Sequence, residues 1–112
     1  MKKILAALAV TAIAGGAAIP AFAGTKSVKI GDNYFVRPAN NATVTISKGS
    51  SLRFVWSGHQ PHNVVKRRGP GGSFNSGVKT HGKTWTHKFT RGGTYKIICT
   101  IHSNMKLTVK VR

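Results

Sequence analysis

The chain holds one cysteine, Cys99, and that single thiol limits how a domain of this size can be held together. Its first residues read as a secretory leader. Lys2 and Lys3 form a short positive region, Ile4 to Ile19 is apolar, and Ala21-Phe22-Ala23 supplies the small-x-small cleavage signal. A membrane anchor is the alternative, but the apolar stretch is short and is interrupted by Thr11, Gly15, Gly16 and Pro20. The expectation is a signal peptide over 1–23, cleaved after about Ala23, and one domain over 24–112. Of 112 residues, 89 then remain. A domain this short buries a thin core and often needs a staple. One cysteine cannot close an internal disulfide, and a free thiol in an oxidising compartment is a liability unless something occupies it. A metal ion would occupy it and supply the staple as well.

Beyond the leader, short β-rich segments alternate with turn signals. Ser27 to Ile30, Tyr34 to Val36 and Thr43 to Ile46 read as extended pieces. Leu52, Phe54 and Trp56 alternate with Arg53 and Val55, the pattern of a half-buried strand. Asn63 to Lys66 reads as a short strand after the Pro61 break. Arg67 to Gly82 reads as a glycine-rich loop with Phe74 as its one large anchor. Trp85, His87 and Phe89 share one face of the next strand, Thr94 to Cys99 follows, and Leu107, Val109 and Val111 share a face of the last. With no helical period outside the leader and no repeat, the pattern predicts an all-β sandwich.

Where a strand ends, Cys99-Thr100-Ile101-His102-Ser103-Asn104-Met105 places a thiol, an imidazole and a thioether at C-x2-H-x2-M spacing. Three side chains can converge from one tight loop of this kind. Met105 is the one methionine left beyond the leader. A fourth donor comes from Gln60-Pro61-His62-Asn63-Val64, just after the Leu52–Trp56 strand. His59 is the rival for that role. Cys99 also has a bland reading as an inert buried thiol, and Met105 as a core residue. A thiolate, two imidazoles and a weak thioether are the donor set of blue-copper electron-transfer sites. Zinc seldom takes methionine, and iron–sulfur clusters need more thiolates. His81 reads as solvated, His87 as a satisfied core histidine, and Trp56 and Trp85 as core.

The segment from about Thr43 to Arg112 resembles the cupredoxins of the plastocyanin/azurin family, and its C-x2-H-x2-M spacing is closest to the amicyanin branch. Pro61-His62-Asn63-Val64, Gly93-Thr94-Tyr95 and Cys99-Thr100 with His102 and Met105 carry the likeness. The resemblance implies a Greek-key β-sandwich of about eight strands. It implies one type I copper ion held by His62, Cys99, His102 and Met105. It also gives Asn63 the task of tying the two ligand loops together. The chain departs from the pattern at Ile101, where proline is common, at Leu107, where glycine often follows the methionine, and at His87, a strand position normally apolar.

The expected function is an exported blue copper protein that passes single electrons between redox partners by cycling Cu(I) and Cu(II). It would be periplasmic or extracellular, monomeric and not an enzyme. Copper delivery, storage or resistance is the alternative. Eighteen Lys and Arg against one acidic residue, Asp32, give a net charge of +17. Loss of Lys2 and Lys3 with the leader brings it to +15. Such a surface suits an acidic redox protein, or peripheral contact with an anionic membrane or cell wall. Nucleic acid is disfavoured by export and by the lack of a nucleic-acid motif.

Overall fold

The computed structural model describes residues 23–32, 34–35, 41–102 and 104–112, so the leader up to Phe22, and Val36, lie outside the described residues. Among those described there are eight strands and no helix. The strands are β1 (Thr25–Gly31), β2 (Tyr34–Phe35), β3 (Asn41–Ile46), β4 (Ser51–Trp56), β5 (Val65–Arg68), β6 (Thr84–Lys88), β7 (Gly93–Ile98) and β8 (Lys106–Val111). They form two four-stranded sheets, in the orders β2-β1-β4-β6 and β3-β8-β7-β5. β1 runs parallel to β4 and β3 parallel to β8, while the remaining pairs are antiparallel. This is the expected Greek-key sandwich.

Period-two patterning decides which faces meet. In β4, Leu52, Phe54 and Trp56 are buried while Arg53 is exposed. The register pairs Phe54 with Val28 and Trp56 with Ile30, so β1 and β4 bury the same face. In the other sheet Tyr95 lies opposite Val109 and Ile97 opposite Leu107, all buried. Each fully buried aliphatic or aromatic side chain contributes about 1.5–3 kcal/mol. With Asp32 the one acidic residue, this apolar core and the strand hydrogen bonds hold the fold.

Two segments differ from the sequence pattern. The strand expected over Asn63 to Lys66 begins later, as β5 at Val65, because Asn63 and Val64 bond loop side chains instead of a neighbouring strand. Val64 N–H donates to Ser76 Oγ at 2.8 Å, and Asn63 is engaged by Thr100. The glycine-rich stretch begins after Arg68, not at Arg67, and it is pinned. Lys66 N–H bonds the Phe74 carbonyl. The Lys66 ammonium donates to the carbonyls of Pro70, Gly71 and Gly72 at 2.7, 2.7 and 3.0 Å. Phe74 packs on Trp85, His87 and Phe89. His87, expected in the core, is half-buried under the Phe74 ring, 4.0 Å between centroids. Trp56 is buried, and Trp85 is partly buried against the core.

Candidate metal centre

Two connections carry the chemistry: the one between β4 and β5 and the one between β7 and β8. The first brings His62 fully inside, at 0% exposure. Its backbone is clamped by a two-way bridge to Lys79, N–H to carbonyl at 3.0 and 2.9 Å. Trp56 Nε1–H donates to the His62 carbonyl at 2.9 Å. The sequence around it is suited to this, since Pro61 ends strand character and the preceding β4 buries Trp56 beside the turn.

The second connection folds back on itself. Met105 N–H bonds the His102 carbonyl at 3.1 Å, and Cys99 N–H bonds the Met105 carbonyl at 3.3 Å. A seven-residue stretch thus returns β8 beside the end of β7. Cys99 and Met105 are buried and His102 is half-buried. Asn63 locks the two connections together: its Nδ2–H donates to Thr100 Oγ1, and Thr100 N–H donates to its Oδ1, both at 2.8 Å. The bridging task that the resemblance gave Asn63 is met by this pair of bonds.

The donors converge. Cys99 Sγ lies 3.9 Å from His62 Nδ1 and 3.9 Å from His102 Nδ1. All three atoms lie within 4.8 Å of one another. The two imidazole rings are 4.6 Å apart. Such separations let one ion bond all three at about 2.0–2.3 Å. A buried thiol between two imidazoles, with a thioether residue on the same loop, is a soft donor set that fits copper. His59 and His81 are not in this cluster. Both are exposed, with their rings 5.3 Å apart and His81 Nδ1 against the Gly58 carbonyl.

A family profile described as copper binding proteins, plastocyanin/azurin family, matches residues 25–112. The chain belongs to that family. Amicyanin-alpha of Methylorubrum extorquens is 34% identical over 113 residues, covering 96% of this chain and 92% of its own. A reduced single-site mutant of amicyanin superposes with a TM-score of 0.68 at 22% identity, over 79% of this chain and 82% of its own. A Cu-containing nitrite reductase from Thermus scotoductus SA-01 superposes at 0.67 with 26% identity, over 89% of this chain but 25% of its own length. The cupredoxin fold and one-copper chemistry expected from the sequence are therefore those of this chain.

Sequence reading missed the role of Asp32. Its carboxylate accepts hydrogen bonds from the His59 and Gln60 backbone N–H groups and meets His62 Nε2 at 3.2 Å. Backbone donation from Gln60 and then His59 holds its carboxyl down at about 2. Its standing as the one acidic residue was the available signal.

Proposed function

We propose that the chain is an exported, monomeric electron carrier whose His62, Cys99, His102 and Met105 hold one type I copper ion. The convergence of Cys99 Sγ, His62 Nδ1 and His102 Nδ1 within 4.8 Å carries this reading. Copper bound there supplies a one-electron Cu(I)/Cu(II) couple. The chain's own residues supply the rest. His62 and Cys99 are sealed from water, and the Asn63–Thr100 and Lys79–His62 bonds resist rearrangement when the charge at the site changes. Met105, fully buried on the same loop, would offer the ion a weak thioether donor. Four protein donors leave no position for a substrate, which favours a carrier over an enzyme. His102 is half-buried where His62 is fully enclosed, so its ring edge is the natural exit for the electron.

The leader over 1–23 and domain over 24–112 route the protein to the periplasm or beyond, where an acidic redox partner would meet its basic surface. Copper delivery would need an exchangeable, exposed site, and the burial of His62 and Cys99 disfavours it. The test is to add Cu(II) to the purified protein and record the visible spectrum. An intense thiolate-to-copper band, absent in Cys99→Ser, supports the reading. A spectrum unaltered by that substitution overturns it.

A further inference from the structure

Against eighteen cationic side chains stands one carboxylate, and it is directed at the ligand loop. Asp32 lies in the turn after β1. Its Oδ1 accepts from Gln60 N–H at 2.9 Å and from His59 N–H at 3.0 Å, with Oδ2 3.2 Å from the same His59 N–H. The same Oδ1 is 3.2 Å from His62 Nε2. Three donors from one short loop thus meet one carboxylate across 27 to 30 residues of sequence. The backbone around it is shaped to match. Ser57 and Gly58 N–H groups both bond the Ile30 carbonyl, at 2.9 and 3.0 Å. A Cβ on Gly58 would run into the Asp32 carboxylate, and its backbone nitrogen would be 2.7 Å away. The loop closes over Asp32 because position 58 carries no side chain.

The two ring nitrogens of His62 face different neighbours. Nδ1 points to Cys99 Sγ and Nε2 to Asp32 Oδ1. A neutral imidazole carries one N–H, and a carboxylate can only accept. The proton therefore sits on Nε2, and the lone pair sits on Nδ1, the nitrogen that faces the thiol. A carboxylate behind a ligating histidine orients the ring and makes it a stronger donor. A negative charge there also favours the more highly charged of two ionic states.

We infer that Asp32 is a positioning residue of the metal centre, which orients His62, fixes its Nε2–H tautomer and biases the copper toward the oxidised state. The inference rests on the reading of His62 as a ligand. It assigns the chain's one acidic residue to the electronics of the site.

The experiment compares the full-length protein with Asp32→Asn, Asp32→Ala and Gly58→Ala. Nitrogen-15 NMR of the metal-free proteins reads the His62 tautomer, and voltammetry of the copper-loaded proteins reads the reduction potential. Asp32→Asn keeps an acceptor but loses the charge, so it raises the potential while leaving the tautomer largely Nε2–H. Asp32→Ala loses both, so it also mixes the tautomers and weakens copper affinity by about 10–100-fold. Gly58→Ala pushes the carboxylate aside and shifts the potential in the same direction as Asp32→Asn. Wild-type potential and wild-type tautomer in both Asp32 variants would overturn the inference. Failure of the wild type to form a thiolate–copper band would overturn the function instead, and the metal-free tautomer comparison would still decide whether Asp32 orients His62.

Discussion

Cys99 Sγ and His62 Nδ1 stand 3.9 Å apart although 37 residues separate them in the chain. Neither end of that contact is left to local conformation. The His62 backbone is bridged to Lys79, and Cys99 N–H is tied to the Met105 carbonyl. The centre is in this sense a property of the sandwich, and its predicted behaviour follows from the clamps around it.

Asn63→Ala removes both bonds to Thr100 and leaves a buried connection unbridged. Thr100 is exposed, so water can take up its freed groups, and each lost bond costs about 0.5–1.5 kcal/mol. Urea unfolding of the metal-free protein should show a loss in that range. Copper release from the loaded variant should be faster, because the two ligand connections are no longer held to each other.

Met105→Leu conserves volume at a fully buried position, so its cost in stability should stay under about 1.5 kcal/mol. It removes a thioether donor. Cu(II) favours a higher coordination number than Cu(I), so it loses more when a fourth donor is removed, and the reduction potential should rise. Voltammetry beside a thermal melt separates the two effects. An unchanged potential would show that Met105 is a core residue and not a ligand.

Gly69 has φ near +132°, a conformation other residues adopt only with strain, and a Cβ there would lie 2.8 Å from the Tyr95 ring. Gly69→Ala should therefore destabilise the domain by about 1–3 kcal/mol. β5 pairs Val65 with Ile98, beside Cys99, while Gly69 meets Thr94 and Tyr95 toward the other end of β7, so the colour of the loaded protein should survive. Chemical denaturation and a visible spectrum on the same sample check both statements.

His87 is held below its ordinary pKa of 6.5 by burial first and by the Lys66 charge second. The unfolded chain takes up a proton near pH 6.5 that the folded chain resists. Stability from this residue is therefore complete above pH 6.5 and is lost as pH falls toward the depressed folded value. Replacing it with phenylalanine, which suits its packing against Phe74 and Phe89, should flatten that part of the profile. Thermal melts of the metal-free wild type and His87→Phe between pH 5 and 8 give the difference.

Much of this architecture is readable in the chain because its causes are local. The alternation at Leu52, Phe54 and Trp56 sets a face, and C-x2-H-x2-M sets three donors on one loop. His62 is legible as a histidine between a strand and a second β segment. What was not legible depends on partners far away in sequence. Nothing near Asp32 indicates that it reaches His62. Nothing in the run of glycines after Arg68 shows that the Lys66 ammonium will gather three of their neighbourhood's carbonyls, or that Phe74 will cover His87. The late start of β5 has the same origin, since Asn63 and Val64 bond side chains of remote loops.

X-ray absorption at the copper edge examines the coordination most directly. The loaded protein should show one short copper–sulfur distance and two imidazole nitrogens, with the sulfur lost in Cys99→Ser. A first shell of nitrogen and oxygen alone in the wild-type protein would contradict a centre built on Cys99, His62 and His102.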